Sequence, residues 1–211
     1  MVNRSVTASF LLAGALLATQ AIGAAPARVG DFALIDIAGE FHQLSRYGDK
    51  EALVLMAFDA SCGSMQSQVD QFEALEATWR DRDIAFGIIN ATPDATIDAA
   101  RSAQASFAIE LPFMLDSSQL VTRTLGLTKA GEVTVLDPAR LSSFYAGGLD
   151  SADASIEAKL SGKDAIAAAS LSGCELSFPS LDAIAATPPD YATDVAPIVI
   201  EQCASCHREG G

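Results

Sequence analysis

Seven consecutive apolar residues, Ala52-Leu-Val-Leu-Met-Ala-Phe58, constrain this chain more than any other feature. A strand with one wet face alternates polar and apolar. An unbroken run of this length suits a strand covered on both faces, as in a parallel sheet between helical layers. The run stops at Asp59-Ala-Ser-Cys62-Gly63, a small and polar turn. Residues 65–80 then predict a helix, because Met65, Val69, Phe72, Leu75, Glu76 and Trp79 recur at three- and four-residue spacing with one polar intruder. Trp79 reads as core on that stripe.

The alternation continues. Residues 84–89 predict a second buried strand, and residues 93–107 a second helix with Thr92 as N-cap and Pro93 at its first position. Residues 111–115 form a short extended piece, and 120–125 a brief helix stopped by Gly126. Residues 133–136 and 143–146 are two strands joined by a turn at Asp137-Pro138, and 154–171 an alanine-rich helix containing Gly162. Upstream, residues 31–43 suggest a strand pair turning at Gly39. This order predicts an α/β domain over 28–172, with a mixed central sheet flanked by helices. Pro179, Pro188 and Pro189 mark 173–190 as a linker, and an amphipathic piece over 191–203 follows.

The 211 residues carry 13 Lys+Arg against 27 Asp+Glu, a formal charge of −14. That balance excludes nucleic acid as the main partner, because phosphate binding needs a basic face. The two histidines, His42 and His207, exclude a multi-histidine metal cage. Residues 1–25 read as a cleaved signal peptide: Arg4 begins it, Phe10-Leu-Leu-Ala-Gly-Ala-Leu-Leu17 is its apolar centre, and Gly23-Ala-Ala25 is its exit. An uncleaved anchor is the alternative, but the apolar centre is short of the roughly 20 residues that span a bilayer. The mature chain is therefore expected to be periplasmic or secreted, with no stable membrane span. Its cysteines then work where disulfides persist.

Cys203-Ala-Ser-Cys206-His207 is a C-x-x-C-H motif, the attachment pattern of c-type haem. Two thiols on one helical turn can add to the two vinyl groups of a single porphyrin, and the adjacent imidazole then lies under the iron as axial ligand. The cofactor expected is covalent haem c, held by Cys203 and Cys206 and ligated by His207. Two other readings compete, a zinc site with a fourth ligand elsewhere and a redox Cys-x-x-Cys pair with His207 incidental. Only four residues follow His207, so 191–211 reads as the start of a c-type cytochrome domain in a longer chain, with the sixth iron ligand unassigned.

Cys62 follows the first buried strand and precedes a helix. The positive end of a helix favours a thiolate, which makes Cys62 a candidate nucleophile or redox thiol. It is not half of a Cys-x-x-Cys pair, because position 65 is methionine. The alternative is a small buried residue behind the sheet.

The stretch from Val29-Gly-Asp-Phe32 to about residue 150 resembles a redoxin, the thioredoxin-fold group that includes alkyl hydroperoxide reductase and thiol-specific antioxidant proteins. The carrying pieces are Val29-Gly-Asp-Phe32, the strand ending at Cys62, Leu111-Pro-Phe-Met-Leu-Asp116 and Glu132-Val-Thr-Val-Leu-Asp137. The tail is similar to the joint in longer bacterial proteins where a redoxin domain leads into a c-type haem segment. The resemblance implies a thioredoxin-like fold and thiol or peroxide chemistry at Cys62. The sequence departs from it in three places. Peroxiredoxins carry threonine and proline three and seven residues before the peroxidatic cysteine, where this chain has Asp59 and Leu55. The family arginine falls at Ala130 or Gly131, and the thioredoxin proline near the same place is missing. Asp59 adds negative charge near Cys62 and opposes thiolate formation.

With Cys203 and Cys206 assigned to haem, Cys62 and Cys174 remain as an even pair in an oxidising compartment. Cys174 is a resolving partner for Cys62, one half of a fixed disulfide with it, or unpaired. His42 is expected at a surface or turn. Asp116 and Asp137 are expected as turn formers. The chain thus reads as an exported redox protein, a redoxin domain joined to a haem segment, working on a redox partner protein or a small thiol or peroxide. Its activity is electron transfer, thiol oxidoreduction or antioxidant peroxidase chemistry. The other reading is a catalytically silent docking module for the haem or a downstream domain.

Overall fold

A computed structural model describes residues 27–167, 173–204 and 207. The signal peptide expected over 1–25 and the haem thiol Cys206 lie outside the described residues. Eight strands make one sheet: β1 (Ala27–Arg28), β2 (Ala33–Asp36), β3 (Phe41–Gln43), β4 (Ala52–Phe58), β5 (Ile84–Asn90), β6 (Phe113–Leu115), β7 (Val133–Asp137) and β8 (Ser142–Gly147). Their order across the sheet is β1-β8-β7-β4-β5-β6-β2-β3. The β4–β5 and β5–β6 pairs are parallel and the rest antiparallel, so the sheet is mixed as expected.

All seven residues of β4 are buried. Register explains this: Leu55 lies between Gly87 of β5 and Thr134 of β7, and Met56 between Ile88 and Val133. The run needs cover on both faces, and both edges of the strand are paired. Helix α1 (Met65–Trp79) turns Met65, Val69 and Phe72 into the core, and Phe72 meets Phe86 edge-on at 5.7 Å. Phe58, the last residue of β4, makes T-shaped contacts at 5.0 Å with Phe107 and Phe113. These contacts anchor the chain immediately before the Asp59–Cys62 turn.

Helix boundaries differ from the sequence expectation at two places. The second helix, α2 (Ile97–Ser106), starts four residues later than Pro93. Thr96 caps it by accepting the Ala99 N–H, while Asp94 takes a left-handed φ of 52° and donates its N–H to Ser117. Thr92-Pro93 is thus a turn before the helix, and the Thr92 hydroxyl is buried without a partner. After α3 (Leu120–Thr124), helix α4 (Ala152–Leu160) stops well short of residue 171. Gly162 adopts φ +65°, a left-handed exit that ends the helix despite the alanines beyond it.

The segment from 173 to 186, read from its prolines as the start of a linker, lies on the domain over much of its length. Glu175 forms an isolated antiparallel bridge with Lys129, and Leu176 is buried. Helix α5 (Pro179–Ala186) has proline in its first turn and ties Asp182 to Arg123 at 3.0 Å. Residues 191–203 are helical, as the segments Tyr191–Val195, Ala196–Ile198 and Val199–Cys203, with π-type turns in the first and last.

Candidate functional site

Cys62 lies at the end of β4 and the start of α1, in two consecutive tight turns. Its N–H donates to the Asp59 carbonyl at 3.1 Å, and its own carbonyl accepts the Met65 N–H at 3.0 Å. The turn is short because Met65, which occupies the fourth position from Cys62, is wholly buried under the helix. The Ser64 hydroxyl lies 3.3 Å from the Cys62 sulfur and does not cap α1. The positive end of α1 therefore faces the sulfur without an intervening side-chain cap.

Cys62 and Cys174 are joined in a disulfide, with α-carbons 5.7 Å apart and 112 residues between them in sequence. Of the alternatives left open by the sequence, the structure takes the direct bond. The two sulfurs are unequal: Cys62 is 3% exposed, whereas Cys174 lies on an exposed residue of the returning segment.

The surroundings explain why the peroxidase pattern fails here. Asp59 is buried, and its carboxylate accepts both the Ser61 N–H at 2.9 Å and the Ser61 hydroxyl at 2.8 Å. Asp59 thus shapes the turn through Ser61. Of the two positions expected for the family arginine, Ala130 is buried and Gly131 takes φ +83°. A β-carbon there would meet the Gln68 side-chain amide of α1, and the left-handed backbone strains any residue but glycine. Gln68 is itself 8% exposed, and its carbonyl oxygen has no hydrogen-bond partner.

Cys203 is an exposed free thiol at the end of the terminal helical stretch, and the His207 N–H donates to the Cys203 carbonyl at 3.0 Å. The two are therefore one helical turn apart. Tyr191, Ile198, Val199 and Ile200 on the same stretch are exposed apolar residues. A thiol and an imidazole on one turn beside apolar side chains suit covalent haem, with Cys206 lying outside the described residues.

His42 is not at the surface. Alternation along β3 turns it inward, where one ring nitrogen lies 3.0 Å from Asp36 and the other 2.6 Å from the Tyr47 hydroxyl. Asp36, Glu40 and His42 have the donor types of a cation site. The Asp36 and His42 atoms are already committed, since Asp36 also accepts the Ala38 and Glu40 N–H groups, and the pair clasps the β2–β3 hairpin. Asp116 goes beyond turn forming: it is buried and accepts the Thr122 N–H and hydroxyl, both at 2.7 Å, fixing the start of α3. Asp137 ends β7 and pairs with Lys159 at 3.1 Å.

No family model matches this sequence, and no curated protein matches it at a significant level. Solved structures do match. A hypothetical protein from Sinorhizobium meliloti superposes with a TM-score of 0.60 at 20% identity, covering 72% of this chain and 92% of that one. Peroxidoxin BcpB from Mycobacterium tuberculosis gives 0.53 at 16% identity, covering 65% and 96%. A putative thiol:disulfide interchange protein DsbE from Chlorobium tepidum gives 0.53 at 16% identity, covering 65% and 95%. The fold is thioredoxin-like. At these identities the likeness carries the fold and nothing finer. In this thioredoxin-like domain the cysteine at the head of α1 finds its partner across the molecule. The sequence reading missed the contributions of Ser64, Gln68 and the 128–130 backbone. The signal available for the last was the period-two pattern of Cys174, Leu176 and Phe178.

Proposed function

We propose that this chain is an exported thiol:disulfide oxidoreductase whose working pair is Cys62 and Cys174, with a c-type haem site at Cys203, Cys206 and His207. The observation that carries the reading is the Cys62–Cys174 bond at the head of α1, joining a buried residue to an exposed one. A structural disulfide has no need of that placement, whereas exchange chemistry does.

In the reducing direction, the Cys62 thiolate attacks one sulfur of a partner's disulfide and the other partner sulfur leaves as thiolate. The Cys174 thiolate then attacks Cys62, re-forming the Cys62–Cys174 bond and releasing the second partner thiol. Two electrons pass from the pair to the partner. The helix terminus stabilises negative charge on Cys62, and the Ser64 hydroxyl is within reach of the same sulfur.

When bound, haem c would supply one-electron transfer. Cys203 and Cys206 would hold it by thioether bonds and His207 would ligate the iron, with Tyr191, Ile198, Val199 and Ile200 available as apolar cover. The likeness to a putative thiol:disulfide interchange protein supports disulfide exchange, and the sequence of residues 1–25 supports export. Among the described residues no helix is long and apolar enough to cross a membrane.

The test is equilibration of the protein in glutathione buffers with the Cys62–Cys174 bond followed by alkylation mapping. A bond that exchanges across the glutathione range, with disulfide reductase activity lost in Cys62→Ser, supports the reading; a bond inert to glutathione overturns it. A pyridine-haemochrome spectrum of exported protein checks the haem, and absence of covalent haem in a competent host overturns that part. Reduced Cys62 should react slowly with hydrogen peroxide in stopped flow, because Asp59 and Gly131 stand where a peroxidase places activating donors. A fast Cys62-dependent reaction would favour the peroxidase alternative.

A further inference from the structure

The returning segment touches the domain in a way that a tether alone does not require. The Cys174 carbonyl accepts the Ala130 N–H at 2.9 Å, and the Leu176 N–H donates to the Thr128 carbonyl at 2.7 Å. Lys129 and Glu175 face one another across this two-bond ladder and pair at 3.3 Å. Side chains alternate: Leu176 is buried and Phe178 partly so, while Glu175 and Ser177 point outward. The Arg123 guanidinium lies 5.1 Å over the Phe178 ring, and the Gln119 side-chain amide donates to the Ser177 carbonyl at 2.7 Å. Residues 174–178 thus lie extended along Thr128–Ala130, held by one antiparallel bridge, with the first residue bonded to Cys62.

We propose that residues 174–178 are a redox-released strap, which fills a seat along Thr128–Ala130 while Cys62–Cys174 is oxidised and vacates it when that bond is reduced. The vacated seat takes an extended segment of a partner protein with a cysteine, an apolar residue two positions later and an aromatic residue two beyond that. This rests on the thiol-exchange reading above and names the substrate class of the same site.

The physical basis is a comparison of anchors. Without the covalent bond, two ladder hydrogen bonds, the Gln119–Ser177 hydrogen bond, one buried leucine, a partly buried Phe178 under Arg123 and ion pairs in which Glu175 and Asp182 are largely exposed must offset the ordering of the whole segment. Exposed pairs contribute little, so the disulfide decides occupancy. Release begins when a dithiol reductant attacks the Cys174 sulfur and Cys62 leaves as thiolate. The reductant's second thiolate then displaces Cys174, leaving two protein thiols and an oxidised reductant. The empty seat presents the Ala130 N–H and Thr128 carbonyl to a new strand, the addition of a strand to a free edge.

Hydrogen exchange on the full chain, followed by mass spectrometry, reads the strap directly. Reduction is expected to raise exchange at Ala130 and across 174–178 by roughly tenfold or more, while β4 and β5 stay protected. Cys174→Ala without reductant should show the same change, which separates the effect from any action of the reductant elsewhere in the chain. Unchanged protection in both samples overturns the strap, even if the bond proves exchangeable. A bond inert to glutathione overturns the exchange reading, yet Cys174→Ala still reports whether the bond holds the strap.

The sequence preference is tested with a peptide of residues 173–179 activated at its cysteine as a mixed disulfide with thionitrobenzoate. Reduced protein attacks it through Cys62 and releases thionitrobenzoate. Peptide carrying serine in place of Leu176 and Phe178 should react roughly tenfold slower or more, the factor that burial of one large apolar side chain is worth. Equal rates overturn the preference.

Discussion

At the scale of single residues, Asp59 has the plainest consequence. Its carboxylate is tied to Ser61, but its negative charge remains in the turn that carries Cys62. Asp59→Asn is expected to speed alkylation of reduced Cys62 by iodoacetamide at neutral pH, because removing a like charge favours the thiolate. A slower reaction would show that Asp59 acts mainly by holding the turn. Asp36 makes a different prediction. Burial raises its pKa, but the His42 hydrogen bond and the Glu40 and Ala38 N–H groups outweigh burial and hold the carboxyl below its ordinary range. A depressed carboxyl stabilises the fold above its unfolded pKa, and that contribution is lost as pH falls through the folded value. The urea midpoint of the native protein should therefore converge on that of Asp36→Asn between about pH 5 and pH 2. A constant difference across that window would sink the assignment. The sequence reading placed His42 at the surface because alternation in a three-residue strand is too short to read. Its partners Asp36 and Tyr47 come from elements that only folding brings beside it.

At the scale of elements, the strands were the most legible. The seven-residue run at β4 matches the observed strand at both ends, because a doubly buried strand tolerates no polar residue and so marks its own limits. Helix starts were less so. Thr92-Pro93 and Thr96 both offer a cap followed by a helix, and the choice fell to Thr96 because Asp94 turns toward Ser117 across the sheet edge. Thr96→Ala should cost about 1 kcal/mol in urea denaturation, the usual worth of an N-cap. Thr92→Val should cost less, since the Thr92 hydroxyl is buried without a partner. The reverse ranking would restore the earlier start. Prolines misled the reading of 173–186: Pro179 opens α5 at a position where a missing N–H is harmless.

Across the whole molecule, the disulfide links the head of α1 to a segment 112 residues away. Closing so long a loop restrains the unfolded chain strongly. Cys174→Ala is expected to lower stability by about 2–5 kcal/mol, read as a shift of the denaturant midpoint in non-reducing buffer. A midpoint equal to that of the native protein would show that the bond adds exchange chemistry without stability. The fold itself does not depend on that bond, because the core built by β4, β5, β7 and α1 is apolar and continuous.

By itself the sequence determined the α/β layering, the position of Cys62 between a buried strand and a helix, and the C-x-x-C-H spacing of Cys203, Cys206 and His207. Each of these is local: periodicity and spacing along the chain suffice to state it. Only the tertiary structure decided which thiol Cys62 meets, that Gly131 sits in a left-handed turn against Gln68, and that 174–178 lies along 128–130. Those outcomes depend on distances between residues far apart in sequence, and backbone edges carry no side-chain signature that a sequence could display.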